Sequence, residues 1–239
     1  MFDFSKVKKV LVFGAHGDDE IIGCGATVAW LSDHGVKVKV VTFTKRETSF
    51  VRVEDKDKAG FVAEKEMEAA NDILGVERQV LGIPNRNVVN SVENFNLVTG
   101  IIREYRPDVI FTPSHRMGGE GELHRDHMNV ASLVDEARWK AAENLYVQGL
   151  TPWNTKAVFY YEIYNLIANP TVVVTFGQKY LDRKLEAIRT QVSQLEVLSG
   201  IEQQIQGLAM ARGAMIGGKG CYGEAFKISS FFPTKIDLD

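Results

Sequence analysis

Residues 9–35 read KVLVFGAHGDDEIIGCGATVAWLSDHG, and this stretch decides the fold class. It opens with Lys9–Ala15, apolar without a break from Val10 on, which reads as a strand buried on both faces. After a short turn, Ile21–His34 carries small and apolar residues at helical spacing, and Gly35 stops it. The same alternation continues outward. Val36–Thr44 (VKVKVVTFT) reads as a second strand, Ala59–Leu74 as a helix ended by Gly75, and Glu77–Leu81 as a third strand. Val92–Tyr105 reads as a helix closed by the Arg106-Pro107 break, and Val109–Thr112 as a fourth strand. Strands alternating with helices predict an α/β fold: a Rossmann-like, mostly parallel sheet with helices on both faces. Sheets of this kind bind ligands at the C-terminal ends of their strands.

The second half is less regular. Asp126–Ala142 reads as a helix, Ala157–Tyr161 and Thr171–Thr175 as strands, Gln178–Leu198 as one long amphipathic helix and Ile201–Ala214 as a shorter one. Gly213–Gly223 (GAMIGGKGCYG) reads as a loop. No Pro/Ser-rich linker divides the chain, so residues 1–239 are expected to form a single domain.

Composition narrows the function classes. The chain has 239 residues, 45% hydrophobic and 25% charged, which is ordinary for a globular protein. A net charge of −3 with no basic cluster argues against nucleic acid as a partner. Two cysteines, Cys24 and Cys221, make neither a disulfide framework nor a cysteine-rich metal site. No apolar run reaches the length of a membrane span, and acidic residues follow the first apolar stretch at once, which reads as a strand and not a signal peptide. The expectation is a cytoplasmic protein with a small-molecule substrate, with homo-oligomer formation left open.

The chemistry-bearing residues are unevenly placed. Of the five histidines, His16 follows the first strand within AHGDDE, and His124 and His127 follow the fourth within HRDH. Three consecutive acids, Asp18, Asp19 and Glu20, raise one another's pKa unless a cation neutralises them. Carboxylates at a helix start gain only a few tenths of a kcal/mol from the dipole, which leaves His16 and the second cluster unexplained. Imidazole and carboxylate together suit Zn2+ or another first-row divalent metal. Two histidines and one carboxylate as ligands leave room for water and substrate, a further carboxylate for a base, and a further histidine for an acid or oxyanion stabiliser. The residues themselves do not separate Asp18 from Asp19.

VLVFGAHGDDEIIGCGATVAWL resembles the opening of the LmbE-like (PIG-L) N-acetylglucosaminyl de-N-acetylase family, which begins with a strand, then Ala-His-Pro-Asp-Asp-Glu, then a small-residue helix. HRDH at 124–127 resembles the family's second motif, His-x-Asp-His. EMEAANDILGV at 66–76, KLEAIRTQVSQ at 184–194 and GEAFKI at 223–228 fit as well. The resemblance implies a metal-dependent N-deacetylase that removes an acetyl group from an amino sugar or sugar conjugate. It implies His16, Asp19 and His127 as metal ligands and Asp18 as the base that activates water. It implies His124 as the residue that stabilises the oxyanion and protonates the leaving amine, and Asp126 as the carboxylate that orients a histidine. An amidase acting on a non-sugar or thiol conjugate is the alternative with the same site. A non-catalytic nucleotide-binding regulator is the alternative of another class; the missing G-x-G-x-x-G counts against it.

Three departures stand out. Gly17 replaces the family's proline, which predicts a looser metal loop. Ala63 stands where the family carries a substrate-binding arginine three residues before Glu66. Arg46, Arg52 and Arg86 are possible substitutes, each otherwise an ordinary surface arginine. Asn85 stands where the family often has a sugar-contacting aspartate, so Asn85, Arg86 and Arg46 are the substrate-binding candidates. Ser114–Leu123 is glycine-rich and reads as a lid or a surface loop. His115 is expected at the surface, His34 at a helix end, Cys24 in packing, and Lys184 and Gln194 in packing or assembly.

Overall fold

The computed structural model describes residues 4–115, 124–144, 149–216 and 221–229. The strands are β1 Lys9–Gly14, β2 Lys37–Thr44, β3 Glu77–Ile83, β4 Val109–Pro113, β5 Ala157–Tyr161, β6 Val172–Phe176 and β7 Tyr222–Ser229. The helices are α1 Asp19–Asp33, α2 Ala59–Leu74, α3 Val92–Tyr105, α4 Arg125–Ala142, α5 Gln178–Arg189, α6 Val192–Leu195 and α7 Ile201–Met215. The sheet has seven strands in the order β3-β2-β1-β4-β5-β7-β6. β1 through β5 pair in parallel, and β7 alone runs antiparallel to its neighbours.

Alternation along β1 explains its apolar sequence. Val10 and Val12 enter one core with α1, α5 and α7, while Leu11 and Phe13 enter the other with α3 and α4. A strand covered on both faces has no position for a polar side chain. The chain moves from β1 outward to β2 and β3, then returns to β4 on the other side. The β1/β4 junction is therefore the topological switch point, where the loops leaving two adjacent strands diverge and open a crevice.

Two elements differ from the sequence reading. The helix expected over Gln178–Leu198 is broken into α5 and α6 around Gln191. The break lets Thr190 Oγ1 and Gln191 Nε2 donate to the Glu66 carbonyl, at 3.2 and 2.8 Å. The end of the glycine-rich stretch is not a loop but the start of β7, inserted between β5 and β6. Its Glu224 answers an irregularity in α1, where Cys24 leaves helical geometry at φ −144° and ψ 18°. Glu224 accepts the amides of Ala26 and Thr27 at 3.0 and 2.8 Å, so the second segment of α1 is capped from another strand. α2 ends as expected, with Gly75 in the left-handed conformation at φ +71°. No helix among the described residues is long and apolar enough to cross a membrane.

Candidate metal centre

β1 stops at Gly14, and the next residues are tied down by the chain that follows them. Asp19, in the first turn of α1, turns Oδ2 back to accept the amides of Ala15 and His16 at 2.7 and 3.0 Å. From β2, Thr44 donates its amide and its hydroxyl to the Ala15 carbonyl, at 3.0 and 2.9 Å. Across the switch point, His124 caps α4, its Nδ1 accepting the Asp126 amide at 3.3 Å. His127 lies one turn further on and faces the same crevice.

Three buried side chains meet there. His16 Nδ1 lies 3.0 Å from His127 Nε2. Asp19 Oδ1 lies 3.1 Å from His127 Nε2 and 3.5 Å from His16 Nδ1. Ligand atoms about 2.0–2.1 Å from a tetrahedral ion stand about 3.3 Å apart, so this triangle fits one divalent ion. Asp19 Oδ1 is buried and receives no hydrogen bond from the described residues, which a cation would remedy. The half-buried His124 ring lies 4.8 and 4.6 Å from the rings of His16 and His127. The three histidines offer nitrogen atoms within 4.8 Å of one another and could hold a metal ion.

The run of three acids is resolved by giving each its own cationic neighbour. Asp18 Oδ2 faces Arg46 Nη1 at 3.4 Å, and Arg46 Nη2 reaches Glu66 Oε2 at 2.8 Å. Glu20 pairs with Arg78 of β3, which also donates to Thr42 and Asn71. Asp19 has only the imidazoles. Burial pushes its pKa up, but the fields of His127 and His16 prevail and hold it well below the usual carboxylate range. For Glu20 burial prevails over Arg78, and its pKa is raised. Burial pushes His16 down, yet Asp19 and Asp126 prevail and lift its pKa to about 10. Burial, with His127 and His16 beside it, lowers the pKa of His124.

Around this core, His16 Nε2 lies 3.0 Å from Asn85 Oδ1 and 3.5 Å from Asp126 Oδ2. Asp126 Oδ2 also accepts the Arg86 amide at 2.7 Å. Asn85 and Asp126 thus stand at the outer edge of the His16 ring, the place of a group that fixes a ligand's tautomer. Arg86 contributes its backbone there, and its residue is exposed. Arg46 corrects the surface reading, because it is fully buried between two carboxylates. Arg52 is exposed and pairs with Asp55. Lys184, Cys24 and His34 sit as expected in packing or at a helix end, and Gln194 is buried. His115 is half-buried and pairs with Asp135 on α4 at 2.6 Å. Residues 116–123 of the expected lid lie outside the described residues. At Gly17 a Cβ would stand 2.2 Å from Met67 Sδ, so Met67 occupies the space that a side chain there would take. Sequence reasoning missed Tyr164, whose ring stacks on His127 at 6.0 Å; the loop after β5 carries no motif that marks it.

A family model described as PIG-L, GlcNAc-PI de-N-acetylase, matches residues 11–138, more than half of the chain. The chain belongs to the PIG-L family. The PIG-L match runs from β1 into α4 and so contains His16, Asp18, Asp19, Arg46, Asn85, His124 and His127. Diacetylchitobiose deacetylase of Thermococcus kodakarensis is 28% identical over 224 residues, covering 90% of this chain and 81% of the relative. The 1D-myo-inositol 2-acetamido-2-deoxy-alpha-D-glucopyranoside deacetylase of Acidothermus cellulolyticus is 28% identical over 239 residues, covering 80% and 81%. Among solved structures, N,N'-diacetylchitobiose deacetylase from Pyrococcus horikoshii has a TM-score of 0.84 at 28% identity, covering 95% of this chain and 85% of that one. GalB, a 4-carboxy-2-hydroxymuconate hydratase from Pseudomonas putida, has a TM-score of 0.81 at 19% identity, covering 96% and 98%. The hydratase shares the fold alone, so the reaction has to be argued from the site.

Proposed function

We propose that the chain, as one LmbE-like domain, is a zinc-dependent hydrolase that removes an acetyl group from the nitrogen of an amino sugar or sugar conjugate. One observation carries the reading. Of three consecutive acids, Asp18 and Glu20 are held by arginines, and Asp19 Oδ1 is left facing two imidazole nitrogens. His16, Asp19 and His127 would hold the metal, with Asn85 and Asp126 orienting His16. A divalent ion there supplies Lewis acidity and makes a water acidic enough to ionise near neutral pH.

The chain's own groups do the rest. Asp18 accepts the proton of the attacking water, whose oxygen adds to the amide carbonyl carbon. His124 Nδ1 accepts the Asp126 amide, so the proton of the neutral ring sits on Nε2 and is donated toward the forming oxyanion. A neutral ring with its proton on Nε2 is the form that donates to an oxyanion. The proton that Asp18 accepted passes to the nitrogen as the C–N bond breaks. Water and amide become acetate and free amine. Arg46 is engaged by Asp18 and Glu66 and so is not available to a substrate phosphate.

The test is acetate release from N-acetylglucosamine, N,N'-diacetylchitobiose and N-acetylglucosaminyl inositol, beside metal content. Asp18→Asn should keep its metal and lose a factor of about 100 or more in kcat. Loss of metal from that variant would exchange the roles of Asp18 and Asp19. Cleavage of a non-sugar amide alone would establish the amidase alternative.

A further inference from the structure

Arg46 is a buried cation placed where the chain resists it. It stands just beyond β2 at φ +53°, a left-handed conformation that a side-chain-bearing residue keeps only where its surroundings demand it. Its side chain is 0% exposed, with Nη1 toward Asp18 Oδ2 and Nη2 on Glu66 Oε2. Glu66 is fixed in turn. Its Oε1 accepts the Ser193 amide at 2.6 Å, and its Oε2 accepts the Ser193 hydroxyl at 2.7 Å. Those donors come from the start of α6, the segment that the break after α5 turns onto α2. A chain of contacts therefore runs from α6 through Glu66 and Arg46 to Asp18.

We propose that Arg46 is a positioning residue for Asp18, held in place by Glu66 and Ser193. The inference rests on the reading of Asp18 as the proton acceptor. An aspartate carboxylate turns about two bonds, Cα–Cβ and Cβ–Cγ. The guanidinium fork fixes where Oδ2 lies and leaves Oδ1 to meet the water. An ammonium supplies the charge without the planar fork and serves less well. Because Arg46 acts through Asp18, its effect has to vanish when Asp18 no longer works.

The experiment is a double-mutant cycle on the zinc-loaded protein with Arg46→Met, Arg46→Lys, Asp18→Asn and the pairs. Acetohydroxamate is the probe, because it carries an acetamide-like carbonyl and an N–OH that a base carboxylate can accept, and it carries no sugar. Calorimetry should show binding weakened about tenfold by Arg46→Met, the scale of one lost charged hydrogen bond, and no further weakening in the Asp18→Asn background. Arg46→Lys should recover part of the loss. On a cleaved acetamido sugar, Arg46→Met should lower kcat about 100-fold, the effect of a small misplacement, with KM and zinc content unchanged. Additive losses in the cycle, a rise in KM alone, or loss of zinc would each overturn the proposal. If no acetamido sugar is cleaved, the functional reading fails while the acetohydroxamate cycle still decides the role of Arg46. If Arg46→Met does not fold, Ser193→Ala keeps both buried charges and carries the same cycle. It should give a loss of about threefold that disappears in Asp18→Asn.

Discussion

The sheet buries carboxylates in two places, at the antiparallel edge and at the β1/β4 crevice, and treats them differently. Glu224 on β7 is saturated: Oε1 accepts the Ala26 amide and Lys184 Nζ at 3.0 and 2.6 Å, and Oε2 accepts the Thr27 amide and hydroxyl at 2.8 and 2.6 Å. Glu162, just beyond β5, is closed in the same way by Arg212 and the Ile167 amide. Asp19 is saturated on Oδ2 alone, and its Oδ1 faces imidazoles with no donor among the described residues. A buried charge with every lone pair used holds the fold together. A buried charge whose unused oxygen lies beside two imidazole nitrogens is placed to share a cation with them.

Substitutions test that contrast. The largest effect is expected from Asp19→Ala or His127→Ala, which should abolish both metal binding and turnover. Retention of one metal per chain in Asp19→Ala would make it another structural carboxylate. His124→Ala should keep its metal and lose about 100–1,000-fold in kcat, the range for one oxyanion donor. Equal metal loss from His124→Ala and His127→Ala would widen the ligand set to all three histidines. At the antiparallel edge, Lys184→Met should cost about 3–5 kcal/mol in urea unfolding by leaving Glu224 charged and buried, with metal per folded chain unchanged. Gly17→Ala should destabilise by about 1–3 kcal/mol through the clash with Met67 and be relieved in Met67→Ala.

The smallest effect is a proton count. With its pKa raised to about 10, His16 in the metal-free protein stays protonated through neutral pH. That gives stability fully present below the unfolded pKa of about 6.5 and lost as pH rises through about 10. A histidine ligand must be neutral, so zinc loading at pH 8 should release about one proton, read by calorimetry in buffers of different ionisation enthalpy. No release would mean that His16 is neutral before the metal arrives.

The parallel sheet, the helix-ending Gly75 and the gathering of His16, the acid run and HRDH at strand ends were all legible in the sequence. Each rests on neighbours within a few residues: an apolar run, a helical period, a glycine, a motif beside a strand end. β7 escaped because its first residues are rich in turn formers, and the break between α5 and α6 because it serves Glu66, a residue far away in the chain. Residue type and spacing did not separate the three acids; the family resemblance implied Asp19, and tertiary structure supplies the physical reason why that one faces the histidines. Arg46 and Arg78 make that selection from 28 and 58 residues along the chain, and a run of like carboxylates says nothing about which of them a distant guanidinium will reach. Side-chain type and short-range spacing set what chemistry can be done, and long-range packing of charge assigns the parts.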